Sequence, residues 1–452
     1  MASQRILGLG VIAAILISIF SAIYTAMLLN EARENINRIN NNINNLSENI
    51  LRISALASGA ISSIETLNSS IRSIERGISS INNTVSSLGE LVRASTEPHV
   101  SVKYARLFQI AYDGPAKIVR DAEGQKILLI PRTLSAQKDI VSLYTSRYAP
   151  DHVIYTPVER VILMSATQVS MILRLEDECR VNIVNTSILG IMWGKQYTWY
   201  VPKISDMLDK GVLRDYGPAD NPNVEMIIAS KPDLVVIYTY AGSPVFRTLK
   251  GSGLPVVVDN EYLENSLLGR FEWIKFLAVF FNLDGCAESL FARVESTIDG
   301  LRQLISNRAP VESLRPVVAW FSVFGGRIYA SSPASYVVDA ITMAGGRYAF
   351  IDIPYGSVSQ ELVVSRSQYI DVLIYSTSKE YGPKSIEELA KALSFVKDIK
   401  AVREGRVYVF APTYWQLGTA YPEDIIRDLA KIFYPDIQNL AGWVLRFFEK
   451  LS

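Results

Sequence analysis

Histidine and cysteine are scarce in this chain. Its 452 residues include two of each, His99 and His152, Cys179 and Cys286. Capture of bare zinc or manganese typically uses clustered imidazoles, and hydrolytic catalysis needs a nucleophile beside a base. Neither constellation is available, so the sequence implies no enzyme and no resident metal or other cofactor, although tyrosine-ligated haem stays open. The two cysteines could pair outside the cell or remain free. No cysteine follows the N-terminal apolar segment, so a bacterial-type lipid anchor has no attachment residue at that point. Net charge is absent too: 45 basic residues balance 45 acidic ones, which removes the electrostatic case for nucleic acid or an anionic membrane surface.

Apolar residues make up 49% of the chain, enough for sizeable cores, and the length calls for more than one domain. After a short cytoplasmic N-terminus (1–5), Ile6 to Leu29 form an uncharged run about long enough to cross a bilayer as a helix. The reading preferred here is an uncleaved single-pass anchor (6–29) with everything after it outside the cell; a removed signal peptide is the alternative. From Ile36 through Ile39, Ile43, Leu46 and Ile50 to Val92, apolar positions alternate by three and four, a heptad seam expected to form a coiled-coil stalk over 30–95. Its isoleucine content tilts the expected homo-oligomer towards a trimer. Asn45, Asn68, Asn82 and Asn185 each open a candidate glycosylation triplet.

Alternating stretches and turn signals over 96–156 predict a small β-rich lead-in. Two stretches further on share one order of elements. NVEMIIASKPDLVVIYT, Asn223 to Thr239, reads as a cap, an apolar helix, a proline stop and a buried strand. SQELVVSRSQYIDVLIYST, Ser359 to Thr377, repeats it, with a glutamate again in the first turn. Helix leading into an uninterrupted apolar strand predicts α/β lobes, each doubly wound around a parallel sheet. The lobes are placed at 157–262 and 310–452, bridged by helices over 263–309.

NVEMIIASKPDLVVIYT, the linker EYLENSLLGRFEWIKFLAVFFNLDG and the closing AVREGRVYVFAPTYWQLGTAYPEDIIRDLAKIFYPD together resemble the substrate-binding proteins of ABC importers for ferric siderophores and vitamin B12. The resemblance runs from about residue 100 to the end. It implies two lobes bridged by a long helix, a small chelate such as a ferric siderophore or cobalamin as ligand, and an ABC permease as partner. It places Ser165 and Thr167, in the turn after the strand Val161 to Met164, at the ligand cleft, with Tyr216 on the first lobe and Tyr355 and Trp415 on the second. Arg327 is expected to supply charge to an anionic siderophore. Independently, Trp199 and its neighbours Trp193, Tyr197 and Tyr200 lie among loop-forming glycines and proline, a candidate binding surface. The resemblance makes Glu225 and Glu361 the permease-docking residues; an acid in a first helical turn is also favoured by the helix dipole alone. A surface sensor and a structural cell-surface protein are the competing functions.

Overall fold

Runs of β-branched and aliphatic residues without polar alternation form strands covered on both faces, and here they contribute to three sheets. The computed structural model describes residues 99–309, 311–354 and 356–452, with helical positions scattered over 21–41 and 69–85. The chain divides into two units, Met1–Arg93 and Ala94–Ser452. In the first, each described residue is helical. Ile36, Ile71, Ile78 and Ile81 of the expected seam are 48%, 41%, 48% and 38% exposed, so their apolar faces meet solvent in the single chain. Among the described residues no helix is long and apolar enough to cross a membrane. Most of the span Ile6 to Leu29, and most of the seam, lie outside the described residues.

The second unit opens on a four-stranded sheet in the order β1-β2-β3-β4, built from β1 (Gln109–Asp113), β2 (Ala116–Arg120), β3 (Lys126–Pro131) and β4 (His152–Thr156). β1 to β3 pair antiparallel, but β4 joins β3 in parallel through the helix Lys138–Tyr148. The lead-in thus combines four strands with one helix. That helix buries none of its residues, so it carries no deep apolar stripe for periodicity to detect.

The first lobe is a fully parallel sheet of β5 (Val161–Leu163), β6 (Ile188–Ile191), β7 (Arg214–Asp215), β8 (Leu234–Ile237) and β9 (Val256–Val258). Its order is β7-β6-β5-β8-β9. The chain thus leaves β5 towards one side and later returns to its other side, a topological switch of the kind that opens a crevice at the carboxyl ends of the central strands. In the second lobe β10 (Val317–Phe324), β14 (Val372–Ser378) and β15 (Val407–Phe410) form a parallel centre, with β12 (Arg347–Tyr348) parallel to the start of β10. Antiparallel β11 (Arg327–Ala330), β13 (Ser357–Val358) and β16 (Phe448–Lys450) complete it, so this sheet is mixed. The two sequence repeats supply β8 and β14, one near the centre of each lobe.

Two helices bridge the lobes, Leu267–Ala278 and the 25-residue Asp284–Arg308. The first is buried at each of its positions. Three of those positions are charged. Arg270 pairs with Glu261 at 2.6 Å, and Glu272 pairs with Lys275 at 3.1 Å. Glu272 also accepts the backbone N–H groups of Lys103, Tyr104 and Ala105, and Glu264 those of Arg106 and Leu107. The segment entering the lead-in is strapped along the bridge by carboxylates that meet five successive amides. Cys179, at the end of the helix Ala166–Cys179, forms a disulfide with Cys286 in the first turn of the longer bridge helix, which settles the pairing left open by the sequence.

Candidate functional site

The switch between β5 and β8 is where the first lobe opens. Directly after β5 come Met164 and Ser165, and then the helix Ala166–Cys179. Ser165 caps it: its Oγ accepts the Gln168 N–H at 3.2 Å, while the Gln168 side chain accepts the N–H groups of Met164 and Ser165. This capping box fixes the turn, and Ser165 and Thr167 share a hydroxyl hydrogen bond of 2.9 Å. Directly after β8 comes Tyr238. Between the two ends lies a cavity of about 390 Å³, lined by Met164–Thr167, by Tyr238, and by Trp193, Gln196, Tyr197 and Trp199 from the loop after β6. Trp415 of the second lobe completes the lining and remains 52% exposed at its edge.

Local chemistry holds the aromatic loop in place. Trp193 sits at φ 60°, a region that bulky residues rarely occupy. Its N–H donates to the Gly217 carbonyl and its own carbonyl accepts the Trp199 indole N–H at 3.4 Å. Gly194 donates to Asp215 Oδ1, and a Cβ there would come within 3.0 Å of the Asp215 and Leu208 side chains, so glycine is needed. Further along, the buried Gln416 amide donates to the Thr198 carbonyl at 2.6 Å and accepts the Tyr200 N–H at 2.9 Å. The second lobe therefore grips the backbone on both sides of Trp199. Trp415, the neighbour of Gln416, packs edge-on against Phe410 and Tyr414 at 5.1 Å from each.

Ion pairs lie between the lobes. Arg174 reaches Glu423 at 2.9 Å and stacks on Tyr421, and Arg270 stacks on Tyr336. Beside the capping turn, burial, reinforced by the charge of Glu261, pushes Asp259 well above the usual carboxylate range. Burial likewise raises the phenols of Tyr197 and Tyr238, so both stay protonated and serve as hydrogen-bonding neutral groups at neutral pH.

Of the expected ligand residues, the structure brings Ser165, Thr167, Trp199 and Trp415 to one cavity. Tyr216 is elsewhere: it is fully buried and its hydroxyl donates to Ser230 Oγ at 2.8 Å, which makes it a core residue. Arg327 is also elsewhere, exposed on β11 and facing a separate cavity of about 480 Å³ beside Ser357–Gln360 and Ala392–Phe395. Tyr355 lies outside the described residues. Gln196 and Tyr238 went unrecognised as ligand candidates. Tyr238 carried a signal, being the first residue beyond a buried parallel strand, whereas Gln196 carried none. Glu225 and Glu361 are both exposed in first helical turns, capped by Asn223 and Ser359. Glu361 titrates below the usual range because its own backbone N–H and then the Ser359 hydroxyl stabilise the carboxylate.

A family model described as periplasmic binding protein matches residues 197–414. An uncharacterized lipoprotein of Methanocaldococcus jannaschii is 32% identical over 343 residues, covering 74% of this chain and 78% of its own. A second lipoprotein of that organism is 26% identical over 370 residues, covering 77% and 87%. Among solved structures, a periplasmic heme-binding protein from Pseudomonas aeruginosa is similar over 62% of this chain and 94% of its own, at 18% identity and a TM-score of 0.49. The lipoprotein relatives correct one expectation. With a relative of this identity being a lipoprotein, single-pass anchoring through Ile6 to Leu29 is withdrawn, and with it the location built on that anchor. Common descent over most of both chains, together with the family match over residues 197–414, makes the chain a member of the periplasmic binding protein family.

Proposed function

We propose that the protein is the solute-binding component of an ABC importer, taking up a chelated metal or a cobalamin-like solute and presenting it to a permease. It binds and does not catalyse. The observation that carries this reading is the cavity at the switch of the first lobe, walled by aromatic side chains and completed by Trp415 of the second. A site shared by two lobes suits capture and release, and its volume falls in the range of small-molecule sites. The disulfide fits an oxidising compartment.

The test begins with mass and absorption spectra of whatever solute accompanies the purified protein, followed by calorimetry with that solute. Trp199→Ala combined with Trp415→Ala is expected to weaken binding by about 1000-fold, since truncation of each packed aromatic in a site typically costs on the order of 2 kcal/mol. The fold should survive, because Trp415 is half exposed and Trp199 belongs to a loop. Unchanged affinity in a folded double variant places the site elsewhere.

Docking is assigned, as part of the same proposal, to Glu225 and Glu361, which stand exposed at matching points of the two repeats, one on each lobe. With both changed to Ala, stimulation of the permease ATPase in reconstituted vesicles should fall while solute affinity holds. Loss of a first-turn acid costs each helix no more than about 1 kcal/mol. Equal stimulation by wild type and variant, at matched solute occupancy, reduces these glutamates to helix-dipole partners.

A further inference from the structure

The cavity of about 480 Å³ at the edge of the second lobe shares no lining residue with the aromatic one. Its shape follows from a tight reversal of the chain. Gly325 and Gly326, at φ 57° and 75°, supply the left-handed backbone that a two-residue hairpin requires, so Arg327 opens β11 directly opposite Phe324 of β10. On the other side of β11 runs β13, with Ile328 opposite Val358 and Tyr329 opposite Ser357. The chain leaves that pairing at Ser359, alongside Arg327. The facing wall is the junction between the helix Ile386–Ala392 and the short turn Ser394–Asp398, which contributes Ser394.

The side chains of Arg327, Ser357, Gln360 and Ser394 make no hydrogen bond and no ion pair among the described residues. Ser359 is engaged: its Oγ accepts the Leu362 N–H and its hydroxyl stabilises the Glu361 carboxylate, which is thereby turned onto its own helix. Arg327 is the only charged residue among the described residues that line the cavity. Lys391, the other charged neighbour of the lining in sequence, is an exposed cation and opposes no anion. A guanidinium fork, two hydroxyls and a carboxamide are thus unspent donors around one space. The fork alone satisfies a planar carboxylate, whereas a tetrahedral oxyanion has further oxygens for the hydroxyls and the amide. The volume, within the range of small-molecule sites, leaves room for a carbon body against Ile328, Leu393 and Phe395. We propose that this is a second binding site, for the phosphoryl or sulfuryl group of a small ester, with Arg327 holding the charge and Ser357, Gln360 and Ser394 completing the donor set. The site stands apart from the solute-binding reading above. Because Gln360 adjoins Glu361, a bound ester places further negative charge beside the residue assigned to docking.

The experiment is calorimetric titration of the full chain with glycerol 3-phosphate, with glycerophosphoglycerol and with acetate. The better of the two phosphate esters is expected to bind at least about tenfold more tightly than acetate, and to weaken as salt is added. Preference for the diester assigns the source as a lipid headgroup; preference for the monoester assigns a soluble phosphate, and the site stands in both cases. Arg327→Gln should weaken ester binding by at least about tenfold, and Arg327→Lys should recover only part of that, because the charge returns without the fork. Ser394→Ala should weaken it by about threefold. Both positions are exposed, so these variants keep the fold. Trp199→Ala with Trp415→Ala should leave ester binding unchanged, which separates this site from the aromatic cavity. Absence of binding by both esters at about 10 mM, acetate bound as tightly as either, or equal ester affinity in wild type and Arg327→Gln overturns the proposal and leaves the solute-binding reading in place.

Discussion

Glu272→Ala is expected to lower the stability of the full chain by about 3–5 kcal/mol, the range for removing one member of a buried ion pair. Glu272 is 0% exposed and Lys275 is 1% exposed, so the substitution leaves an ammonium group inside the protein. Lys275 keeps Glu288 at 3.0 Å and the Ser101 carbonyl at 2.6 Å, which limits the electrostatic part of the loss. Three amides, those of Lys103, Tyr104 and Ala105, lose their acceptor together; because Lys103 is exposed and the other two residues are half-buried, water replaces part of what is lost, and each amide left without any partner costs about 1–3 kcal/mol. Glu272→Gln retains one acceptor oxygen and should therefore fall between wild type and Ala. Urea unfolding checks the ordering; an Ala variant within about 1 kcal/mol of wild type would show that the strap contributes little to stability.

Loss of the Cys179–Cys286 bridge should have an effect of similar size. The two cysteines are 107 residues apart in sequence, and in the chain-entropy description a closure of about that length is worth roughly 4–5 kcal/mol, with measured values spanning about 2–5. The double variant Cys179→Ser, Cys286→Ser, or wild type held under reductant, should unfold at correspondingly lower urea. Solute binding in the folded variant should persist. The bridge meets the last residue of the helix Ala166–Cys179, whereas the cavity meets its first turn, about 20 Å away at 1.5 Å per residue. Equal unfolding midpoints for oxidised and reduced protein would contradict the prediction.

The parts of the fold that could be read from sequence were those whose environment is uniform along the chain. DLVVIYT and IDVLIYST are buried on both faces, so they read as strands, and they became β8 and β14. The turn after Val161 to Met164 was recognisable because a strand gives way there to a polar triplet, and Ser165 and Thr167 do line the cavity. Tyr216 shows the limit. It follows a strand as Tyr238 does, but which face of a sheet a side chain joins depends on neighbours remote in sequence, here Ser230. Arg327 was misplaced for a related reason: the hairpin through Gly325 and Gly326 reverses the chain, so the arginine returns along β11 instead of continuing past the carboxyl end of β10. Gln416 and Glu272 gave no local signal at all, since what makes them matter is the backbone of segments more than 160 residues earlier.

The turn between β2 and β3 bears on how such a chain reaches its fold. Asp121 accepts the Val258 N–H, Ala122 donates to the Val258 carbonyl and the Gln125 amide donates to that of Val256, so this turn occupies the outer edge of β9. An open edge of a parallel sheet is a template on which another chain can add a strand. Because residues 121–125 precede β9 in the chain, a ribosome delivers the cover more than a hundred residues before the edge it protects. Each nascent molecule therefore carries its own edge guard when the first lobe closes, and β9 need never wait, half paired, among neighbouring copies.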